Sequence, residues 1–399
     1  MGEWKSIRLK DIANKVREKN SSEEYDVVFS NSALNGIVIQ TDFFDKEIAN
    51  KANLKNYTVV KKNDFVYNPR ISRLAPCGPI NKNNTQYTGL VSPLYKVFRV
   101  DAEKCNLNYI EHYFSSSIWH RYMNSVANYG ARSDRMNITD VNFFNLKIEL
   151  PNPKEQEKIA TILSTWDKAI ELKEKLIEQK KEQKKGLMQK LLTGEVRLPG
   201  FDGAWKKVKL KDIASINKRS LNNKTNDDYE YYYYDLTSVD NGQVTHPAKK
   251  IKYKDSPSRA RRIFEKSDIL MSTVRPNLKG FAYIDFDAND CIASTGFAVI
   301  STKRKEESKL VYYHLFSERI ETQIKRLLVG SNYPAINIKD VENLQIAYPP
   351  TCEERKRVSE IFSIVDNEIT LLSKKIFELQ LQKKGLMQLL LTGKVRVKV

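Results

Sequence analysis

The sequence is poor in the residues that build metal sites and disulfide frameworks. Its 399 residues hold four cysteines and four histidines. Cys77, Cys105, Cys291 and Cys352 show no C-x-x-C spacing, and His112, His120, His246 and His314 lie far apart in the chain. That pattern argues against a zinc site and against disulfides, and it points to a reduced cytosolic protein with no metal or cofactor of its own. Long apolar runs are missing too. None approaches the ~18 residues of a membrane span, and Met1-Gly2-Glu3-Trp4-Lys5 opens no signal peptide, so a cytoplasmic protein with no membrane partner is expected.

Acidic residues are in deficit. Lys plus Arg number 67 against 49 Asp plus Glu, an excess of 18, and the pI is near 9.4. A polyanion is the implied partner, and nucleic acid is the commonest one. The length exceeds what one hydrophobic core covers, so two or more domains are expected.

What the chain has in abundance is repetition. Asn152-Pro153-Lys154-Glu155 opens a run that reaches Lys185-Gly186-Leu187-Met188-Gln189 and closes on Leu191-Leu192-Thr193-Gly194-Glu195-Val196-Arg197. A second run opens at Thr351-Cys352-Glu353-Glu354, reaches Lys384-Gly385-Leu386-Met387-Gln388 and closes on Leu390-Leu391-Thr392-Gly393-Lys394-Val395-Arg396. The openings of the globular segments repeat as well: Trp4 to Ala13 returns as Trp205 to Ala214, and Asn137-Ile138 with Asp140-Val141 returns as Asn337-Ile338 with Asp340-Val341. A period near 200 residues is a domain duplication and not a solenoid.

Both runs read as long helices with written ends. Asn152 and Thr351 are N-cap candidates, Pro153 suits a first helical position, and Glu155 and Glu354 complete capping boxes. Gly194 and Gly393 stand where a left-handed residue ends a helix. Val358, Ile361, Val365, Ile369, Leu372, Ile376 and Leu379 recur at steps of three and four, the seam of a coiled coil, matched in the first copy by Ile159, Ile162, Trp166, Ile170 and Ile177. Such a stripe on so long a helix needs a partner, and each helix is the obvious partner of the other. Lys180, Lys181, Lys184 and Lys185 interrupt the first stripe as a solvated row, while Gly186 and Gly385 suggest close helix approach or a kink.

Between their common ends the globular segments diverge. Short β-branched and aromatic runs such as Tyr57-Thr58-Val59-Val60 and Tyr231-Tyr232-Tyr233-Tyr234, separated by Asn, Gly, Asp and Pro, indicate strand-rich α/β domains. Alternation along a strand turns half of the four tyrosines toward a core. The expected division is 1–150 and 199–348 for the two globular domains, with 151–198 and 349–399 for the two helices. Equivalent halves that bury a common stripe do so most simply about a pseudo-two-fold axis, which makes the helices antiparallel and puts a head at each end. Heads that differ in sequence would read two unlike blocks of double-stranded DNA separated by unread bases.

The order of globular segment, helix ending in K-K-G-L-M-Q-x-L-L-T-G, globular segment and helix resembles the specificity subunit of a Type I restriction-modification system. The resemblance rests on Pro151 to Gly194, Pro349 to Gly393 and the two Trp-led openings, and it spans the whole chain. It implies two target recognition domains that read an asymmetric bipartite site. It also implies paired helices that act as spacer and as dock for two methyltransferase subunits, with up to two motor and nuclease subunits completing the restriction enzyme. It further implies that this chain performs no catalysis. The residues agree: Tyr348-Pro349-Pro350-Thr351 lacks the ends of an adenine-methyltransferase Asp/Asn/Ser-Pro-Pro-Tyr/Phe motif, and Gln388 stands where a phosphate loop closing on Gly393-Lys394 needs glycine. A two-headed DNA-binding regulator without enzyme partners is the alternative.

Base readout relies on Arg or Lys with guanine and Asn or Gln with adenine, while hydroxyls and cations also hold phosphates. In the first domain the candidates are Asn68, Arg70, Ser72 and Arg73 in one stretch, and Tyr129, Arg132, Ser133 and Arg135 in another. The corresponding places in the second hold Ser272, Arg275, Asn277 and Lys279, then Ser331, Asn332 and Tyr333. Arg259, Arg261 and Arg262 suit phosphate neutralisation.

Overall fold

The computed structural model describes residues 3–43, 51–128, 134–330 and 333–398. The chain divides into two compact units, one of Met1–Glu174 with Lys374–Val399, the other of Lys175–Ser373. Each is therefore assembled from segments of both sequence repeats.

In the first unit an antiparallel sheet has the strand order Ala13–Lys15, Lys96–Val100, Phe65–Tyr67, Ile80–Lys82. The opening strand Lys5–Arg8 pairs antiparallel with Lys147–Leu150, just before the long helix Pro153–Leu191 begins. The second unit repeats this frame. Ala214–Ile216, Phe297–Thr302, Ile269–Ser272 and Phe281–Tyr283 form a sheet of the same order, and Lys206–Lys209 pairs with Gln345–Tyr348 ahead of the helix Cys352–Leu390.

The middles differ, as their sequences do. The first unit inserts two separate strand pairs, Phe29–Ser32 with Gly36–Ile39 and Thr58–Val60 with Gly89–Val91. The second inserts a mixed four-stranded sheet in which Glu230–Tyr234 runs parallel to Cys291–Ser294. Tyr231 and Tyr234 are buried there, and Tyr232 and Tyr233 are half-buried.

The cores show why each unit needs both helices. Phe65, Phe98, Phe114 and Phe143 pack together in the first unit, with Phe65 and Phe98 stacked at 5.4 Å, and Ile159 and Leu163 of the first helix join them. Met387, Leu390 and Leu391, from the end of the second helix, belong to the same core. In the second unit the roles exchange: Val358 and Phe362 of the second helix meet Met188, Leu191 and Leu192 from the end of the first. Within each unit the two helical segments run antiparallel. Lys383 bonds Asp167 and Arg396 bonds Glu155 in the first, while Lys184 bonds Asp366 and Arg197 bonds Glu354 in the second. The expected seam positions of the second helix are all buried or half-buried.

Several local expectations change in detail. Asn152 and Thr351 do cap their helices, accepting from the amides of Glu155 and Glu354 at 3.0 and 3.2 Å. The glutamate side chains do not close capping boxes, because they turn instead to Arg396 and Arg197. Gly194 and Gly393 lie at φ of +75° and +70°, and a Cβ on either would press on Trp205 or Trp4 at 3.1 or 3.3 Å. Each closing glycine is thus covered by the opening tryptophan of the unit it helps build. By contrast, a Cβ at Gly186 or Gly385 meets nothing within 4 Å, so close helix approach does not explain them. Lys180 and Lys184 are not a free solvated row, since they pair with Glu368 and Asp366 at 2.7 and 2.6 Å.

Candidate nucleic-acid interface

The candidate stretches in each unit are joined by backbone hydrogen bonds. In the first, Arg70 and Arg135 face each other in a β-bridge, the Ile71 amide donates to the Asp134 carbonyl at 3.0 Å, and the Met136 amide to Pro69 at 3.0 Å. In the second, Val274 bridges Ala335, the Arg275 amide donates to Pro334 at 2.7 Å, and the Ile336 amide to Thr273 at 3.0 Å. These are the same three relationships, displaced by one constant number of residues in each strand. The equivalence inferred from sequence position is therefore an equivalence of hydrogen bonding.

Side chains at these places do different work. Asn68 is buried: its amide donates to the Asn31 carbonyl at 3.0 Å, and its oxygen accepts from the Arg70 amide at 3.0 Å, shaping the loop from below. Arg70, Ser72 and Arg73 are exposed, and Arg135 is half-buried beside Asp134. In the second unit Ser272 is buried and its hydroxyl donates to the Val274 carbonyl at 2.6 Å. Arg275 lies with its guanidinium 4.4 Å from the exposed Tyr333 ring. Asn277 is exposed, and Lys279 pairs with Glu321 at 3.0 Å. Tyr129, Arg132, Ser133, Ser331 and Asn332 lie outside the described residues.

Backbone strain marks the second loop. Arg275 and Lys279 both take left-handed φ, 48° and 56°, which costs side-chain-bearing residues on the order of 1 kcal/mol each. Bonds from Arg275 to Pro334 and from Lys279 to Pro276 hold them there.

Of the arginine cluster, Arg261 and Arg262 stand on the strand Ala260–Ile263 of the inserted sheet and Arg259 immediately precedes it. Its start reaches toward the loop: the Arg259 carbonyl accepts from Thr295, and the neighbouring Gly296 carbonyl accepts from the Thr273 amide, both at 2.8 Å. Arg259 is exposed. Arg261 stacks on Tyr253 at 5.0 Å, and Arg262 donates to the Ser220 hydroxyl at 3.2 Å. Burial pushes the Arg262 guanidinium below its ordinary value, although an arginine stays cationic. Two exposed residues in the loops escape any rule of polar readout: Leu74 and Leu278. No signal in the sequence singles them out, since their exposure depends on what the rest of the chain covers.

Among the described residues no group of His, Cys, Asp and Glu gathers in a way that could hold a metal ion, and no helix is long and apolar enough to cross a membrane. What the two units present is a duplicated frame whose paired loops carry cations and differ in side chains. The model of the Type I restriction modification DNA specificity domain matches residues 1–181 and again 203–381. The chain belongs to this family.

Relatives agree. The Type I restriction enzyme MjaVIII specificity subunit of Methanocaldococcus jannaschii is 29% identical over 281 residues, 64% of this chain and 64% of that protein. The HindI specificity subunit of Haemophilus influenzae is 25% identical over 174 residues, 42% of this chain and 36% of its own. This chain thus spans less than two thirds of the length of these curated relatives. Among solved structures, a chain from work on complex assembly and conformational transition of the type I R-M system aligns with a TM-score of 0.59 at 16% identity, covering 98% of both chains. The S subunit of a type I system from M. genitalium aligns with a TM-score of 0.57 at 15% identity, over 97% of this chain and 96% of that one. The fold is therefore that of specificity subunits, and the resemblance first seen in the duplicated helices holds.

Proposed function

We propose that this chain is the cytoplasmic, non-catalytic DNA-specificity subunit of a Type I restriction-modification enzyme. Its domains 1–150 and 199–348 read the two unlike halves of a bipartite target. The helices at 151–198 and 349–399 space the readers and hold two methyltransferase subunits, to which motor and nuclease subunits are added in the restricting enzyme. The observation that carries the reading is the pair of hydrogen-bond-equivalent loop constellations, 68–73 with 134–136 and 272–279 with 333–336, set in one frame but armed with different side chains. Readers of different sequences need this combination, since phosphate contacts fix register while base contacts must vary.

Charge supports it, because an excess of 18 cations favours a polyanion. The helix segments of each unit leave large apolar side chains exposed: Leu172, Phe377 and Leu381 in the first, Leu176, Ile364 and Leu371 in the second. Apolar surface of this kind, present once per unit, suits two copies of one protein partner.

Base-modification sequencing of DNA from cells that express the cognate methyltransferase, with and without this chain, tests the proposal. An asymmetric two-block motif carrying N6-methyladenine should appear only when the chain is present. Methylation that does not depend on the chain, alongside DNA binding by the purified protein, would favour a regulator instead.

A further inference from the structure

The two loops differ at almost every side chain, yet they agree at one. Counting from the shared amide bonds of Ile71 and Arg275, the third residue onward is Leu74 in the first unit and Leu278 in the second. Both are strongly exposed, 70% and 62%. An isolated exposed leucine needs no explanation. Two at the same register, in loops that otherwise diverge, do.

Each leucine is held on a tight turn. Ser72 and Ala75 exchange backbone bonds at 3.0 and 3.2 Å, which leaves Arg73 and Leu74 at the tip between them. In the second unit Pro276–Leu278 is a single 3-10 turn, closed by bonds from the Leu278 amide to Arg275 at 2.9 Å and from Lys279 to Pro276 at 3.0 Å. Cations lie close to both leucines in the chain: Arg70 and Arg73 precede Leu74, while Arg275 and Lys279, the latter paired with Glu321, stand on either side of Leu278. A rigid apolar point on a cationic loop is an arrangement by which proteins part neighbouring base pairs, because the loop's polar contacts hold the duplex while the apolar side chain replaces lost stacking.

We infer that Leu74 and Leu278 are wedges that enter a base step of duplex DNA, one in each half of the target, and loosen the stack there. The inference rests on the DNA-reading proposal above. It follows from what the two heads share: side chains that read bases must differ between unlike blocks, whereas a residue common to both does the part of the task that is independent of sequence. Deforming the duplex is such a task, and an adenine that is to be methylated must leave the stack.

The test uses the full chain and duplexes that the wild-type protein selects from a random-sequence pool, with 2-aminopurine placed at successive positions across each block. The wild type should raise fluorescence at one step in each block. Leu74→Ala should abolish the rise in one block and Leu278→Ala in the other, each weakening binding about tenfold while selecting the same sequence. Leu→Met at either site should keep the rise. Thermal melts should be unchanged, since neither leucine is in a core. A rise that survives both alanine variants, no rise with the wild type, or alanine variants that select different bases would each overturn the wedge. If the wild type selects no duplex at all, the DNA-reading proposal itself fails, an outcome distinct from the loss of the wedge alone.

Discussion

Arg396 reaches across 241 residues of sequence to clasp Glu155, its Nε and one terminal nitrogen each 2.6 Å from a carboxylate oxygen. The carboxylate is 1% exposed and the guanidinium also lies 5.6 Å from the Trp4 ring. Arg197, Glu354 and Trp205 repeat the arrangement in the second unit, with Glu354 fully buried. The closing arginine of each sequence repeat therefore serves the unit whose opening tryptophan comes from the other repeat.

Removing either arginine leaves a buried carboxylate without its counter-charge. Arg197→Ala should cost the second unit about 2 kcal/mol, somewhat below the usual loss for a broken buried pair because Trp205 still donates to Glu354. Arg197→Lys should recover only part of this, since an ammonium cannot match a two-pronged contact. Arg396→Ala should act in the same direction on the first unit. There Arg396 holds the Glu155 carboxyl below its ordinary 4.5, so the pair's contribution is present above that pH and fades as pH falls through the lowered value. The stability difference between wild type and Arg396→Ala in urea unfolding should accordingly be constant at neutral pH and begin to narrow only as pH falls below 4.5.

Exchange of helix ends makes a long-range prediction. Leu391→Ala should destabilise the first unit by about 3 kcal/mol, although the residue belongs to the second sequence repeat, and Leu192→Ala should do the same to the second unit. Hydrogen exchange read peptide by peptide should show the loss of protection around Phe65 and Phe98 for Leu391→Ala, and around Leu310 and Phe362 for Leu192→Ala. The opposite assignment would contradict the packing.

Acid should weaken the first unit through His112. This buried ring lies 3.0 Å from the Ser164 hydroxyl and 3.8 Å from Asp167, with Lys383 bonded to the same aspartate and Glu111 adjacent in sequence. Tyr313, with Ser363, Asp366 and Lys184, occupies the equivalent place in the second unit, its hydroxyl 2.9 Å from Asp366. Burial, and then Lys383, lower the His112 pKa below 6.5. The folded ring stays neutral where the unfolded one takes up a proton, so stability is lost as pH falls below about 6.5. His112→Tyr should supply the second unit's arrangement, and the drop in melting temperature from pH 8 to pH 5.5 should shrink.

Phosphate and base contacts should separate under salt. Arg259→Ala should flatten the slope of log affinity against log salt by about one unit while leaving the selected sequence alone. Arg275→Ala should weaken binding about tenfold and relax selection in one block only, because Arg275 is presented on a strained turn and braced by Tyr333. Selection from a random pool, repeated at two salt concentrations, measures both.

Much of this was legible in the chain. The long helices were written in Asn152, Thr351 and the three-and-four spacing from Val358 to Leu379, because caps and apolar periodicity are local consequences of helical geometry. The candidate loops were findable as matched polar stretches in two repeats. What the pattern could not show is which members point outward: Asn68 and Ser272 look like readers in sequence, yet both are buried and bonded to backbone. Nor could it separate Leu74 and Leu278 from core leucines, since exposure depends on what the rest of the chain covers.

The duplication, the helix ends, the basic character and the shared scaffold with divergent middles all follow from local propensity and composition. That each unit is closed by the end of the other repeat's helix follows from long-range packing alone. The two apolar stripes are alike, so periodicity permits several pairings. The choice among them comes from packing Met387, Leu390 and Leu391 onto the first core and Met188, Leu191 and Leu192 onto the second. At each closure a half-buried arginine paired with a buried glutamate then locks the register.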